Sequence, residues 1–432
     1  MTEHLPETVF IGDDFTGASD TLAAFARGGR RTRLFLSVPG AADCEGLDAV
    51  GIATALRAME ADAIRRACEA MAPQIRDLGA RFYHFKVCST FDSSETVGSI
   101  GAAVRGLSEA LQPALTIILG GQPSLGRYCL FGNLFARAPD GIVYRIDRHP
   151  VMSSHPVTPM GEADLRRHLQ RQGLADISLV SGAELDVAPA IICPRLLSAS
   201  GNGLRPVLVD AASQAHVDTV GAALAGIDWE GPILLVGPSS VAEAICAARP
   251  ALDRKTGASA GATRQTADAD RPVLLFAGSR SSLTAAQIAH AARYSTLAVT
   301  PVMLENESRL DTLAATARGH LGEGRNVLLH LQHEARYGLS GEALALKCAA
   351  LMKTVVAGKT LSGIGVAGGD TSSLILSELQ ISSLSHVADL DRGVALCEGR
   401  MEEGGRSPVL LLKGGQMGDA TLFDRFAAFC RN

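Results

Sequence analysis

Two adjacent carboxylates, Asp13 and Asp14, are the first side chains in the sequence that could do chemistry. They follow the apolar run TVFIG at 8–12 and precede a segment with helical periodicity that begins near Gly17. In parallel α/β sheets, ligands bind beyond the carboxyl ends of the strands, where this pair would lie. Capping of the helix accounts for one of the two carboxylates. The other is available to orient a ligand hydroxyl or to accept its proton, so both residues are candidate catalytic residues.

A second polar segment, FKVCSTFDS at 85–93, also follows a predicted strand. It combines a cation at Lys86, hydroxyls at Ser89 and Thr90, and a carboxylate at Asp92. This mixture suits a ligand that carries several hydroxyls and a carboxylate, because each group finds a complementary hydrogen-bonding partner. The alternative is local, since Asp92 and the serines could instead cap a helix predicted a few residues later.

Two further sites are candidates for ligand binding. Arg57 follows the apolar run at 48–54, and its planar guanidinium matches a carboxylate bidentately. The alternative for it is an ordinary surface arginine. His155 and Thr158 lie on a proline-rich loop at 149–160, where proline fixes the backbone and reduces the cost of ordering. A packed turn without a ligand is the alternative for this loop.

Three glycine-rich turns in the C-terminal part each follow an apolar run and precede a helical segment. Such units expose backbone N–H groups that can bind phosphate, although ordinary tight turns remain the alternative. The candidate nucleotide-binding residues in these turns are Ser279, Gly368, Gly369, Asp370, Thr371 and Gly415. A Walker A motif ending at 358–360 fails, because its first glycine would fall on Lys353. GIGVAG at 363–368 is predicted to be a strand and not a dinucleotide-binding turn.

The elements that must position these residues alternate along the chain. Apolar runs without polar alternation are typical of strands buried on both faces of a parallel sheet. The runs are 8–12, 48–54, 81–86, 115–120, 205–210, 232–237, 272–278, 326–332, 363–369 and 408–415. Amphipathic segments rich in Ala and Leu separate them, which predicts an α/β fold with mostly parallel sheets. Small polar residues at 253–271 predict a linker between two α/β domains, at 1–252 and 272–432.

Composition excludes several classes of protein. The 432 residues carry a formal charge of −5, without the basic excess that is typical of nucleic-acid-binding proteins. Nine scattered cysteines form no CxxC pair, which favours reduced and mostly buried thiols over a metal or redox site. The N-terminal residues resemble no secretory signal, and the apolar runs are shorter than the roughly 20 residues of a membrane-spanning helix. We therefore expect a cytoplasmic protein without a membrane or nucleic-acid partner.

Six segments in order give the chain a resemblance to the four-carbon acid sugar kinase family, formerly DUF1537. They are GDDFTGASD (12–20), FKVCSTFDSS (85–94), HPVTPM (155–160), AGSRSSLTAAQ (277–287), AGGDTSS (367–373) and LKGGQMG (412–418). The resemblance implies an N-terminal sugar-acid-binding domain and a C-terminal ATP-binding domain. It also implies phosphorylation of 3-oxo-tetronate, threonate or erythronate on the terminal 4-hydroxyl.

The resemblance assigns roles to residues through the matching motifs. The substrate would contact Asp13, Asp14, Arg57, Lys86, Ser89, Thr90 and Asp92. ATP would contact Ser279, Gly368, Gly369, Asp370, Thr371 and Gly415. Family members often have GSCS, GGET and LKSGNFG where this chain has GSRS, GGDT and LKGGQMG. These departures indicate a separate subgroup, in which the substrate is less defined than the class of reaction.

The implied reaction is a phosphoryl transfer, which depends mainly on alignment and charge neutralisation. Arg57 and Lys86 would hold the substrate carboxylate, and Asp14 or Asp13 would accept the proton of the far hydroxyl. ATP and Mg²⁺ are the expected cofactors, used in a cleft that the two domains share. A non-catalytic ligand sensor and a sugar-acid isomerase or dehydrogenase are the alternatives. Homodimer formation is left open.

Overall fold

The computed structural model describes residues 5–155, 157–186, 188–227, 230–248, 271–401, 406–415 and 417–431. The chain divides into two compact units, Met1–Thr256 and Gly257–Asn432. The predicted linker at 253–271 lies outside the described residues, apart from Arg271. The exact domain bounds 1–252 and 272–432 therefore stay predictions.

The first unit is built on a parallel β-sheet with helices packed against it. Its strands are β1 (Thr8–Gly12), β2 (Thr32–Phe35), β3 (Ala49–Ala53), β4 (Phe82–Lys86), β5 (Leu115–Leu119), β6 (Arg127–Leu130), β7 (Asn133–Arg137), β8 (Val143–Arg145), β9 (Ser178–Val180), β10 (Val207–Val209) and β11 (Ile233–Gly237). The parallel sheet has the order β2-β3-β1-β4-β11-β5-β10-β9. Every residue of β1, β4 and β11 is buried, as expected for central strands covered on both faces.

The helices of the first unit connect these strands. They are α1 (Phe15–Arg27), α2 (Ala61–Asp77), α3 (Ile100–Leu111), α4 (Leu165–Arg171), α5 (Gly182–Leu185), α6 (Pro189–Ala199), α7 (Gln214–Gly226) and α8 (Ser240–Ala248). Side-chain caps define several starts: Asp14 caps α1, Ser99 caps α3 and Ser213 caps α7. A separate antiparallel sheet, β6-β7-β8, lies between β5 and α4 in the chain.

The second unit repeats the parallel arrangement and adds an antiparallel edge. Its strands are β12 (Val273–Ala277), β13 (Ser295–Val299), β14 (Val327–Leu331), β15 (Gly363–Ala367), β16 (Ile381–Asp391), β17 (Val394–Met401) and β18 (Arg406–Lys413). Within this unit β13-β14-β12-β15-β18 are parallel, and β17 and β16 continue antiparallel from β18. Its helices are α9 (Ser282–His290), α10 (Pro301–Leu304), α11 (Glu307–Gly322), α12 (Gly341–Val356), α13 (Gly369–Glu378) and α14 (Leu422–Arg431).

The predicted α/β class with mostly parallel sheets is confirmed. The ten apolar runs correspond to β1, β3, β4, β5, β10, β11, β12, β14, β15 and β18, each within two residues at either end. The first five residues of GIGVAG form the strand β15 and Gly368 is the N-cap of α13, so the pattern does not form a dinucleotide-binding turn between strand and helix. Six of the nine cysteines are buried, as the composition predicted. In the part of the chain that the structure describes, no helix is both long and apolar enough to cross a bilayer.

Candidate functional site

The carboxyl ends of three neighbouring strands bring the predicted substrate residues of the first unit together. Gly12, the last residue of β1, is in register with Ala53 of β3 on one side and with Lys86 of β4 on the other. Asp13 follows β1 directly, Lys86 ends β4, and Arg57 lies four residues beyond the end of β3. The parallel register therefore places one acidic and two basic residues at the same edge of the sheet.

Arg57 forms ion pairs with both aspartates. Its Nε donates to Asp13 Oδ2 at 3.1 Å and its Nη2 to Asp13 Oδ1 at 2.7 Å, in the bidentate geometry typical of arginine and carboxylate. Its Nη1 lies 3.0 Å from Asp14 Oδ2. The Arg57 N–H also donates to the carbonyl of Asp13 at 2.9 Å. The predicted cation is present, but its guanidinium is already paired with two carboxylates of the protein.

Asp14 is the N-cap of α1, so the capping explanation holds for one member of the pair. Its Oδ1 accepts from the Gly17 N–H at 2.9 Å and its Oδ2 from the Thr16 hydroxyl at 2.8 Å. Burial opposes ionisation of Asp14, but Arg57, Lys86 and these two hydrogen bonds together hold its pKa below the usual 3.8. For Asp13, burial dominates and raises the pKa despite the attraction of Arg57. The two neighbours therefore differ in basicity.

Gly17 lies where a larger residue would displace both charged groups. A Cβ at this position would overlap Asp14 Oδ1 and would lie 2.6 Å from Lys86 Nζ. The ammonium of Lys86 is thus packed against the first turn of α1, beside the Asp14 carboxylate. Lys86 itself is 4% exposed, which leaves its side chain little space to move aside. Glycine is required here for close approach and not for an unusual backbone angle.

The loop after β4 forms its own hydrogen-bonded unit. Thr90 Oγ1 donates to Asp92 Oδ1 at 2.6 Å, and Cys88 Sγ lies 3.0 Å from Thr90 Oγ1. Both Thr90 and Asp92 are buried, whereas Ser89 is partly exposed. The alternative that Asp92 caps the next helix is wrong, because α3 begins at Ile100 and is capped by Ser99. Asp92 instead remains within the loop beside β4.

A buried polar cluster beneath this loop fixes its path. Ser93 Oγ lies 2.8 Å from His168 Nε2 and accepts from Gln172 Nε2 at 2.8 Å. Ser93 also donates to the carbonyl of Phe91, which adopts φ 52° and is fully buried. These contacts hold Thr90 and Asp92 in place on either side of Phe91.

His155 and Thr158 contact each other. His155 Nδ1 accepts from the Thr158 N–H at 3.1 Å and lies 3.1 Å from the Thr158 hydroxyl, which is buried. These contacts account for the fold of the loop as a packed turn. A ligand role for the two residues stays a prediction.

The three glycine-rich turns of the second unit lie side by side. The N–H groups of Gly278 and Ser279 donate to the carbonyl of Ala367, and the Gly368 N–H donates to the carbonyl of Lys413 at 3.0 Å. Gly368, the N-cap of α13, has φ 138°, a conformation that favours glycine. A Cβ on Gly415 would lie 2.5 Å from Ser279 Oγ, and one on Gly278 would lie 2.9 Å from Thr371 Oγ1.

The structure thus brings together the predicted nucleotide residues Ser279, Gly368, Thr371 and Gly415, with Gly369 and Asp370 in the first turn of α13. Glycine at the start of a helix lets phosphate oxygens approach the backbone closely. Three adjacent glycine-rich turns favour a polyphosphate ligand over a single ion.

A buried lysine beneath these turns was missed by the sequence analysis. Lys413 Nζ donates to Gln287 Oε1 at 2.7 Å and to Thr284 Oγ1 at 3.1 Å, and Thr284 in turn donates to the carbonyl of Gly415 at 3.2 Å. Burial lowers the pKa of Lys413 to about 7. Lys413, Thr284 and Gln287 all lie inside the family-like segments 277–287 and 412–418, so these segments could have identified them as candidate residues. Their contacts indicate that they hold the last glycine turn in position.

The described ranges contain no group of three or more His, Cys, Asp or Glu side chains arranged to hold a metal ion. Mg²⁺ in phosphoryl-transfer sites usually takes only one or two carboxylates and binds chiefly to waters and phosphate oxygens.

Comparisons with known proteins match different domain families to the N-terminal and C-terminal parts of the chain. A model described as a sugar-binding N-terminal domain matches residues 8–245, and one described as a nucleotide-binding C-terminal domain matches residues 274–423. The chain is 34% identical to a 3-oxo-isoapionate kinase of Paraburkholderia graminis, over 96% of this chain and 92% of the relative. It is 30% identical to a 3-oxo-tetronate kinase of Pseudomonas fluorescens, over 96% and 95% of the two chains.

Solved structures share the fold over the whole length. A Salmonella typhimurium LT2 protein superposes with a TM-score of 0.76 at 23% identity, covering 98% of both chains. A Haemophilus influenzae protein of the DUF1537 family superposes with a TM-score of 0.70 at 23% identity, covering 98% of this chain and 100% of that one. With both domain models matched in order and relatives aligned over nearly their full length, the chain belongs to the four-carbon acid sugar kinase family.

Proposed function

We propose that this protein is an ATP-dependent kinase that phosphorylates the terminal 4-hydroxyl of a four-carbon acid sugar. The family and the names of the relatives support the class of reaction. The observation that carries the proposal is the group formed by Asp13, Asp14 and Arg57 beside Lys86, at the carboxyl edge of the parallel sheet. Location in the cytoplasm and assembly as a homodimer stay predictions.

We assign to Asp13 the role of general base, which accepts the proton of the acceptor hydroxyl. Burial raises its pKa, whereas the pKa of Asp14 is held low and Asp14 is already the N-cap of α1. A general base works best when its basicity is not suppressed by its neighbours. Asp14 would then keep Arg57 and the start of α1 in place, close to the reacting hydroxyl. Lys86 would supply positive charge on the opposite side of Asp14.

The loop after β4 would bind the inner hydroxyls of the sugar acid. Thr90 and Asp92 offer a hydroxyl and a carboxylate that are already held at 2.6 Å from each other. Because the buried Ser93 cluster fixes this loop, little ordering is needed when the ligand binds. Ser89, His155 and Thr158 are assigned to the same ligand as more peripheral contacts.

The second unit would bind ATP at its glycine turns, where residues without a side chain let phosphate oxygens approach the backbone closely. Ser279, Gly368, Gly369, Asp370, Thr371 and Gly415 are the residues assigned to the nucleotide. ATP supplies the transferred phosphoryl group, and Mg²⁺ neutralises charge on the phosphate oxygens when both are bound. Lys413 lies behind Gly415 and would fix that turn, without itself contacting the nucleotide.

The test is a coupled ADP-release assay across 3-oxo-tetronate, 3-oxo-isoapionate, threonate and erythronate, with and without Mg²⁺. We expect ADP release that requires one of these acids and is lost when EDTA removes the metal. Tight binding of ATP or an acid without turnover would instead favour a sensor. ADP release that is independent of every acid would contradict the proposal.

Replacing Gly17 with alanine is expected to lower kcat/KM for the acid by about 100-fold, the loss that a displacement of roughly 1 Å can cause. The new Cβ would displace Asp14 or Lys86, although alanine has the higher helix propensity by about 1 kcal/mol. Steady-state kinetics and thermal unfolding measure the two effects separately.

The matched control for this variant is Gly319→Ala in α11, where a Cβ would meet no atom within 4 Å. It makes the same chemical change in a helix and should leave kcat/KM unchanged. Equal activity of the Gly17 and Gly319 variants would show that the packing of Lys86 against α1 does not matter for turnover.

A further inference from the structure

Arg127, the first residue of β6, is partly buried, and its guanidinium includes a buried nitrogen without a hydrogen-bond partner. Its Nη1 donates to the carbonyl of Leu125, and its Nε is buried without a hydrogen-bond partner. Within the described ranges no carboxylate oxygen lies at ion-pair distance from it. Removing a cation from water is costly unless a partner compensates, so a guanidinium with a buried and unpaired Nε is unusual.

The surroundings of Arg127 connect it to the proposed substrate site. Burial lowers the pKa of Arg127, and the nearby charge of Asp92 opposes this shift. Burial also opposes the charged form of Arg57, but Asp13 and Asp14, with Asp92 as a weaker contributor, raise its pKa. The loop after β4 therefore lies within electrostatic range of both guanidinium groups.

His149 lies within electrostatic range of Arg127 but does not neutralise it. Burial and the nearby charge of Arg127 lower the pKa of His149, and its Nδ1 accepts from the N–H groups of Val151 and Met152 at 3.2 Å each. A neutral imidazole engaged in this way offers no negative charge. A ligand carboxylate would supply the ion-pair partner that Arg127 lacks within the described ranges.

The other cations of the first unit's site are less available to a ligand anion. All three nitrogens of the Arg57 guanidinium contact Asp13 or Asp14. Lys86 is buried against the first turn of α1, beside the Asp14 carboxylate. A sugar acid nevertheless brings a carboxylate that needs a positive partner.

We propose that Arg127 binds the carboxylate of the sugar acid, and that Arg57 instead organises the two aspartates. This inference rests on the proposed function, since it concerns the same substrate. The acid would extend from Arg127, past Thr90 and Asp92, with its terminal hydroxyl at Asp13. Selection for an acid over the corresponding neutral sugar derivative would then depend on Arg127.

The test measures binding of threonate and of its neutral amide, threonamide, by calorimetry without nucleotide. Arg127→Met should weaken threonate binding by roughly 10- to 100-fold, the value of a charge-assisted contact, and leave threonamide binding unchanged. Arg127→Lys should recover part of the lost affinity because it restores the charge without the planar fork. Arg137→Met is the matched control, since Arg137 is an exposed neighbour on β7 that donates to the carbonyl of Gly141.

Thermal unfolding and ATP binding of each variant show whether it is folded. If Arg127→Met does not fold, the threonate affinities of wild type and Arg127→Lys are compared instead, and a lower affinity of Arg127→Lys is expected. Threonate affinity in the substituted protein equal to wild type would overturn the inference, as would a wild type that binds threonamide as tightly as threonate. The experiment needs no phosphoryl transfer, so a wild type that binds threonate through Arg127 without turnover would contradict the proposed function alone.

Discussion

Asp13→Asn is expected to lower kcat for the acid substrate by about 10²–10⁴-fold, the contribution of a positioned general base. Asparagine has nearly the same size and can still accept one hydrogen bond from Arg57. It cannot accept a proton from the hydroxyl, however, and it pairs with only one of the two nitrogens that now contact Asp13. The KM for ATP should stay near the wild-type value, because the glycine turns are unaffected. Steady-state kinetics with both substrates varied measure these values.

Asp14→Asn distinguishes the role of Asp14 as the N-cap of α1 from the role of its negative charge beside Arg57. Asparagine caps helices as well as aspartate does, so α1 should keep its start at Phe15. We expect kcat for the acid substrate to fall roughly tenfold, because one charged contact to Arg57 becomes neutral.

Asp140→Asn is the control for both aspartate variants. The Asp140 carboxylate lies in the exposed turn before β8 and accepts from the Tyr144 hydroxyl. A greater loss in Asp14→Asn than in Asp13→Asn would transfer the role of base to Asp14. Near-normal kcat in both variants would show that neither aspartate accepts the proton.

Gly415→Ala is expected to lower kcat/KM for ATP by about 100-fold, as displacement of a positioned group by roughly 1 Å can do. The added Cβ would lie 2.5 Å from Ser279 Oγ, and the carbonyl of the same residue accepts from Ser281 Oγ at 2.5 Å. Relief of the overlap must therefore either rotate the Ser279 hydroxyl, which now accepts from the Ser281 N–H, or move the turn after β18 or the turn after β12. Both belong to the surface assigned to the phosphates. Titration with ATP and, separately, with the acid measures the effect on each site.

Gly341→Ala is the control for this variant, since a Cβ at the start of α12 would meet nothing within 4 Å. We expect wild-type kcat/KM values from it. Acid binding should be unchanged in both variants. A Gly415→Ala protein that is folded and binds ATP normally would exclude this turn from the nucleotide site.

The sequence was most informative about strands buried on both faces. Runs such as PILLVG and PVLLFAG have no polar alternation, and they became β11 and β12 almost residue for residue. Shorter or partly exposed strands were missed. The hairpin strands β6, β7 and β8 mix polar and apolar residues, and the pairing of β16 with β17 contains register shifts that obscure a period of two. The helix α13 was found only as the continuation of a glycine turn.

The candidate site was predictable where residues adjoin a strand end. Asp13, Asp14 and Lys86 could be placed together because parallel strands share one edge. The partner of Arg57 could not be predicted, since a guanidinium suits a ligand carboxylate and a protein carboxylate equally well. Lys413 and Arg127 were missed because burial of a cation depends on tertiary packing, which no local pattern reports.

Phosphorus NMR of the reaction product tests the central claim most directly. The protein is incubated with ATP, Mg²⁺ and the acid that gives the highest ADP release. We predict a phosphate ester coupled to the two protons of the terminal CH₂ group, formed in equal amount to ADP. Inorganic phosphate as the sole new signal, or an ester on an inner carbon, would contradict the account.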